Sequence, residues 1–468
     1  MSSPQDDIQT ADDYQTYGQI VWGQFKKYKV SYFSMYGVLG LFVIAMISPL
    51  IALNVPIYLY VPGGVGPEQI QGISFPWFIA LFDQNFFNSG VDIFFNFLLF
   101  FVPLAVGTWM VSDHLSVAPT KGYATPTPFY AGIGVLGLAM VFLAVALNGV
   151  LSLHFVVTLI LVALTGFGTY HLSYEADRTR RRSVFLMAAT VLGAIGFVMV
   201  YYHGFRQPYV DYQALRELDD GIVALFPLLE HSYRDVNLMA TSAPPSMEHL
   251  LGTDAIGRDV FTRILYGTRI SLTIGVVAVG IYATIGIILG SLAGYFGGRV
   301  DALILRLIEI MMCFPVIFLL LTLAGFIEEA SVFHIMLIIG LTGWTGIARL
   351  VRGEFLRLRN QDFVQAAVAL GFSQPRIIFR HVMPNAIQPV YVAATFGIAG
   401  AILIEATLAF LGVGPPDVPS WGQILTSGRN TQNMTMILAS GFAIFIVISL
   451  LNLIGEGLRD ATDPKLRK

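Results

Sequence analysis

Few residues in this 468-residue chain could do chemistry, and most of those lie in apolar surroundings. Glu405, in the run AILIEATLAFLG, is the clearest ionisable residue inside such a stretch. It is a candidate polar site, because a charge there is costly to bury. No base stands in the neighbouring stretches to pair with it, so a proton relay built from several such groups is not indicated. Arg306 and Glu309 are three apart, the spacing of a local ion pair on one helix face. A phosphate-binding loop of the GxxxxGK[ST] type needs a Gly-Lys dipeptide, which never occurs here, so any coupling to ATP must come from another polypeptide. Gly132, Gly134 and Gly137 satisfy GxGxxG inside an apolar stretch with no preceding strand, which suits close helix approach rather than a dinucleotide. Gly290 and Gly294 form a GxxxG packing face of the same character. The eight histidines show no HExxH and no metal-ligand spacing, and His154 and His203 read as helix-contact or interfacial residues. Cys313, the single cysteine, rules out a disulfide framework and reads as a small buried hydrophobe beside Pro315. Asn433-Met434-Thr435 is a glycosylation sequon, a pattern short enough to arise by chance.

The elements that must position these residues are membrane spans. The chain is 55% hydrophobic and only 12% charged, with a mean hydropathy of +0.70, whereas soluble domains run near 25% charged. A net charge of −3 leaves no electrostatic footprint for nucleic acid. A helix crossing about 30 Å of hydrocarbon needs roughly 20 apolar residues. Ten such stretches occur, at 33–55, 92–111, 128–147, 150–170, 184–203, 270–293, 303–325, 334–351, 388–412 and 434–455. The expected fold is therefore an all-α polytopic membrane protein of ten transmembrane helices, with the apolar run after residue 32 serving as an uncleaved signal anchor.

Lys and Arg in short loops mark the cytoplasmic face. Lys26, Lys27 and Lys29, the cluster Arg178, Arg180, Arg181 and Arg182, Arg299, the run from Arg352 to Arg380, and Arg459, Lys465, Arg467 and Lys468 all fall on one side. Both termini are thus expected in the cytoplasm. The segment 204–269 is expected outside, acidic at Glu217, Asp219 and Asp220 and broken at Pro244-Pro245.

The segment 352–387 is too patterned for a simple connector. Asp362 can cap a helix whose Phe363, Ala366, Ala367 and Leu370 make one apolar face, with Gly371 suited to end it. Ser373 can cap a second short helix with Pro375 in its first turn, followed by Ile377, Ile378 and His381 and stopped at Pro384-Asn385, with Arg376 and Arg380 flanking. The spacing leaves open whether this helix–turn–helix receives another protein or packs on its own membrane domain.

The run FVQAAVALGFSQPRIIFRHVMPN (363–385) resembles the EAA loop of prokaryotic ABC importer permeases, with Gln365 where that family usually has Glu and Phe363 where it usually has Tyr. HLLGTDAIGRDVFTRILYGTRISL (249–272), EATLAFLGVGPPDVPSWGQIL (405–425) and NLIGEGLRDATDP (452–464) are similar, in the same order, to segments of the dipeptide/oligopeptide (and nickel) permeases, specifically the C-type partner; Glu456 stands where Asp is usual. The resemblance covers about 244–468 and, more weakly, 20–55. It implies a six-helix permease core and divides the chain into a cytoplasmic segment 1–32, a first core helix 33–55, an inserted region 56–203 with four extra spans, an external loop 204–269, a core 270–456 with the loop 352–387, and a tail 457–468.

The same resemblance implies a permease subunit in the cytoplasmic membrane of a bacterium or archaeon, moving di- or oligopeptides or similar small solutes. It would not itself be an enzyme and would bind no cofactor or metal. ATP and Mg would sit on two partner ATPase subunits, alongside a second permease and an extracytoplasmic solute-binding protein. Gln365, Ala366, Ala367, Gly371, Ile378, His381, Pro384 and Asn385 would carry the coupling to the ATPases. Gly252, Thr253, Asp254, Gly257, Arg258 and Asp259 would form an external landing surface or gate. The rival readings are an ion-gradient-driven secondary transporter, for which no internal repeat is visible, and a membrane enzyme housed in 56–203, for which no nucleophile–base or metal constellation is visible.

Overall fold

The computed structural model describes residues 17–62, 72–83, 86–87, 89–115, 187–195, 210–218, 221–327 and 331–463. The acidic N-terminal residues, the spans expected at 128–147 and 150–170 with their GxGxxG, His154, the Arg178–Arg182 cluster, most of 184–203, His203, Asp219, Asp220 and the last basic residues lie outside these. Among the described residues six helices are long and apolar enough to cross a membrane, or seven with one bent pair. The chain divides into two compact units, Ile44–Asp235 and Met1–Val43 with Val236–Lys468. Helices α1 (Tyr17–Phe25) and α2 (Lys29–Ile51) open the described chain.

The Ile44–Asp235 unit contains strands where a plain external loop was expected. β1 (Tyr58–Val61) lies between β2 (Gly72–Ser74) and β3 (Val223–Leu225), antiparallel to both, with Tyr60 opposite Ile73 and Val223. Alternation explains it: Leu59 and Val61 are buried while Tyr60 faces out, the period of a half-covered strand. Nearby, α3 (Gly90–Leu115) is tied down by polar side chains. Asn96 donates to the Leu81 carbonyl at 2.8 Å, and the Tyr233 hydroxyl donates to Asp92 at 3.0 Å. Burial pushes the Asp235 carboxyl up to about 6 even though the Ser232 N–H donates to it.

The other unit is organised on α4 (Val260–Phe296), whose 37 residues reach about 55 Å at 1.5 Å each, well beyond a hydrocarbon layer of roughly 30 Å. Against it packs α8 (Trp344–Leu358), preceded by α5 (Gly298–Cys313), α6 (Val316–Gly325) and α7 (Val332–Thr342). A Cβ on Gly286 would stand 2.7 Å from Ile347, one on Gly290 2.5 Å from the Ala348 carbonyl, and one on Gly294 2.5 Å from Phe355. The GxxxG face is therefore a three-glycine groove in which the backbone of α8 is seated. In lipid, where burial against another helix gains little over burial against acyl chains, such close packing is what holds helices together.

The span expected at 303–325 is not straight. α5 and α6 meet at 84°, because Pro315 lacks an N–H and holds Phe314 in an extended conformation (φ −90°, ψ 129°). Cys313 sits at this corner and is exposed rather than buried, since the chain turns away before any neighbour covers it. On α5 itself, Arg306 and Glu309 pair at 2.6 Å on an exposed face, as a local ion pair should. α7 opens with a capping box in which Ser331 and His334 satisfy each other's backbone N–H groups, so His334 has a structural job.

Helix α9 (Asp362–Ala369) follows α8, and α10 (Gln388–Phe410), α11 (Trp421–Asn430) and α12 (Met434–Thr462) complete the unit. Leu272, Ala399, Ile402, Ala406, Trp421 and Val447 form a core joining α4, α10, α11 and α12. Trp421 anchors it, with its indole N–H donating to the Ile264 carbonyl at 3.2 Å. The sequon residue Asn433 caps α12 by accepting from the Met436 N–H.

The glycine groove generates a test. Gly290→Val is expected to lower stability in detergent by about 1–3 kcal/mol, the cost of overpacking. Gly280→Ala, whose Cβ meets nothing within 4 Å, should not lower the melting temperature, since Ala is the better helix former.

Candidate functional site

Two groups of expected site residues lie at opposite ends of α4. The C-terminal end carries the loop leading into α9, since the Arg359 guanidinium reaches the Gly294 carbonyl at 3.3 Å. The N-terminal end carries the segment 236–259, which runs directly into Val260.

The cap of α9 is Gln361, extended at φ −78° and ψ 149°, rather than Asp362, which is the first helical residue. There its carboxylate suits the positive end of the helix dipole. The helix ends where Gly371 takes φ +74°. The Phe372 N–H donates to Ala367 at 3.2 Å and the Gly371 N–H to Val368 at 2.9 Å, a Schellman closure that a left-handed glycine makes accessible. Of the apolar face expected from spacing, only Ala367 is buried; with Val364 it seats α9 on its own chain. Phe363, Ala366 and Leu370 face outwards, Phe363 44% and Leu370 73% exposed. One side of α9 thus packs on its own chain and the other is left open.

Gln365, standing where an acid is usual in the resembling family, acts as a donor: its amide N–H meets the Arg359 carbonyl at 3.0 Å. Arg359 in turn reaches the end of α4, and the neighbouring Arg352 forks onto Asp301 of α5, one of the two contacts being 2.7 Å. This polar chain was not visible in sequence, because nothing in the spacing of Asp301, Arg352 and Arg359 marks them as neighbours.

Beyond Gly371, Ser373 occupies a cap position but its side chain makes no capping bond. Pro375 lies in the first turn, and residues Ile377–Val382 form a π-helical segment burying Ile377, Ile378 and Val382. The stop expected at Pro384-Asn385 does not occur. Pro384 falls in the first turn of Met383–Ala386, where a missing N–H is harmless. The Asn385 amide donates to the His381 carbonyl at 2.9 Å, and the chain continues through Ile387 into α10. Phe372 was overlooked. Its ring stacks on His381 (centroids 5.7 Å apart, planes 18°), and the Arg376 guanidinium lies 4.3 Å from its centroid. An apolar residue directly after a left-handed glycine signals packing back on the helix it closes, not these forward contacts, which nothing in the sequence marks.

At the other end, GTDAIGRD forms a closed knot. Gly252 and Gly257 adopt φ +73° and +81°, and a Cβ on either would collide with the backbone of Ala243 or Asn237. Asp254 is buried and accepts from the Ile256 N–H at 3.0 Å, the Arg258 N–H at 2.9 Å and the Arg258 side chain at 2.7 Å. The Thr253 hydroxyl bonds the Ala240 carbonyl and accepts from the Ala243 N–H at 2.8 Å. Asp259 caps α4 through the Thr262 N–H at 2.7 Å while its other oxygen meets His249 at 3.0 Å. Outside this buried lattice, Met239 and Met247 are almost wholly exposed, at 98% and 94%, with Leu238 and Ile256 also open.

Glu405 lies buried in α10 near its C-terminal end. Its Oε2 makes no hydrogen bond within the described residues and borders a small cavity lined also by Ile270, Ile335 and Gln423. Ser420, which lines the same small cavity, accepts from the Gln423 N–H at 3.1 Å and so caps the start of α11.

Residues 286–468 match a family model described as the binding-protein-dependent transport system inner membrane component. The oligopeptide transport system permease protein of Haemophilus influenzae is 39% identical over 241 residues, which span 50% of this chain and 77% of that protein. The dipeptide transport system permease protein of Alkalihalophilus pseudofirmus is 41% identical over 251 residues, 53% of this chain and 82% of its own. The oligopeptide permease protein of Bacillus subtilis is 38% identical over 242 residues, 51% and 79% of the two chains. Among solved structures, the methionine ABC transporter MetNI in inward-facing conformations shares 19% identity and a TM-score of 0.37, covering 43% of this chain and 97% of that one. Identity at this level over most of each curated relative, with a family-model match that includes the loop 363–385, places the chain in the family of ABC importer permeases, the inner membrane components of binding-protein-dependent transport systems.

Proposed function

We propose that the chain is the membrane subunit through which an ATP-driven importer passes dipeptides, oligopeptides or similar small solutes, working with a second permease, two ATPase subunits that hold ATP and Mg, and an external solute-binding protein. The observation that carries this reading is the outward apolar strip Phe363, Ala366 and Leu370 on α9, rigidly held from behind by Val364, Ala367 and the Gln365–Arg359 contact. A strip open on one side and locked on the other suits a surface that receives a moving partner. Peptide as the solute rests on the names of the relatives, which are oligopeptide and dipeptide permeases.

The distribution of charge supports the orientation. Ser31 abuts Gly457, which puts Lys26, Lys27 and Lys29 at the same end of the unit as Arg459. Arg299, Arg352 and Arg359 lie at the α4 end that also carries α9. Basic residues mark the cytoplasmic side, so α9 faces the ATPases there and the GTDAIGRD knot faces outside. In this reading the exposed Met239, Met247 and Ile256 form the surface on which the binding protein lands, and the buried knot beneath gives that surface a fixed shape.

ATPase closure would then push α9 and tilt the spans between inward- and outward-facing states, a rigid-body switch. A Cβ on Gly371 meets nothing within 4 Å of its own chain, but φ +74° strains any side chain placed there, so the fold of a variant is checked alongside its uptake. Gly371→Asp is expected to abolish uptake in the reconstituted transporter at normal membrane levels; unchanged substrate-stimulated ATP hydrolysis would overturn the coupling role. Gln365→Glu replaces a donor with an acceptor facing the Arg359 carbonyl. Losing a bond worth about 0.5–1.5 kcal/mol, it should speed amide exchange at the start of α9 several-fold without changing the rest of the unit.

A further inference from the structure

We infer that Phe372 is a positioning residue that clamps α9 to the π-helical segment Ile377–Val382, so that the two move as one lever into α10. The inference rests on the coupling role proposed for this loop. Between α9 and the π-helical segment the backbone turns at Gly371, in a conformation few other residues adopt, and Ser373 contributes no capping bond. A bare turn of this kind would let a push on α9 dissipate at the joint. Phe372 spans it. Its N–H closes the end of α9 onto Ala367, while its ring lies on His381 of the π-helical segment and under the Arg376 guanidinium that opens it.

The other side of the joint is equally fixed. Ile377, Ile378 and Val382 are buried, and Asn385 holds the His381 carbonyl, so motion of the His381 ring is motion of the turn leading to α10. His381 serves through its flat face: its Nε2 is buried and makes no hydrogen bond among the described residues. An aromatic plate, rather than an imidazole, is what the position uses. π-Helical segments leave the i→i+4 ladder locally unmade and are common at functional sites, and a side-chain brace across one supplies stiffness that its backbone lacks.

The experiment uses the complete transporter, with its partners, in proteoliposomes, and reads ATP hydrolysed per solute imported. Phe372→Ala is expected to raise that ratio about fivefold, the scale of losing one aromatic pair and one cation–π contact, and His381→Ala, which loses the aromatic pair alone, to raise it by a smaller factor. Phe372→Tyr and His381→Phe should restore what the alanine variants lose. A wild-type ratio for Phe372→Ala overturns the clamp, as does a His381→Phe variant that behaves like His381→Ala. Ala366→Trp, on the open strip of α9, separates this from the broader reading. If Ala366→Trp uncouples and Phe372→Ala does not, the clamp alone fails; if neither uncouples, the coupling role of the loop fails with it.

Discussion

Close approach of α4 and α8 is the constraint on which the rest of the Val236–Lys468 segment depends. At Gly286, Gly290 and Gly294 the space a Cβ would need is occupied by atoms of α8 within 2.7 Å. Contact of this kind fixes distance and rotation together. Once α8 is seated, Arg352 faces Asp301 and Arg359 faces the last carbonyls of α4. The position at which the chain leaves α8 and enters α9 is then set, and with it the direction in which the strip Phe363, Ala366 and Leu370 points. In a bilayer this order of cause is necessary, because apolar surface alone does not choose one helix partner over another when lipid is an equal alternative.

Polar groups follow a second rule. Several side chains withdrawn from water are satisfied by groups close by in sequence. Asp254 takes three donors from its own loop, Asp259 caps a helix and meets His249, and Ser420 caps α11. Glycines at positive φ make this geometry reachable at Gly252 and Gly257, because any side chain there would strike the facing backbone. The GTDAIGRD residues are therefore chiefly builders of a rigid scaffold, and the large apolar groups open to solvent there are Ile256 of the segment itself and the neighbouring Met239 and Met247.

What could be read from the residues alone follows the range of the interactions. Among the described residues the spans other than 303–325, the GxxxG face, the Arg306–Glu309 pair and the glycine that ends α9 were legible, since each depends on hydrophobic runs or on residues within one helical turn. The end of α9 was readable because Gly371 acts locally; its start was misassigned by one residue because Gln361 and Asp362 are both acceptable neighbours of a cap. Pro315 was visible, but its 84° consequence was not: proline inside an apolar run is tolerated in many spans, and only the surrounding packing decides between a kink and a corner. The same corner left Cys313 exposed. Pro384 shows the reverse case, a breaker that falls where a helix restarts. The strands at Tyr58–Val61 and Val223–Leu225 pair across more than 150 residues, and no local pattern announces such a partner.

The functional face of α9 is a matter of rotation as well as of spacing. Helical periodicity groups Phe363, Ala366, Ala367 and Leu370 on one side, yet the seam on which α9 rests runs through Val364 and Ala367, so most of the apolar side remains open. In an isolated subunit that is an unfavourable exposure of large side chains at the end of the bundle. Its persistence beside a satisfied polar lock (Gln365 on Arg359) and a closed Schellman turn means the loop is stiff where it meets its own chain and uncovered where another body can reach it. Stiffness at both ends of α4, the knot at one and the locked loop at the other, leaves the helices between them as the parts that can rotate. Under the proposed mechanism, force entering at α9 therefore has to travel as rigid-body motion of whole spans, with α4 and α8 locked to each other by the glycine groove.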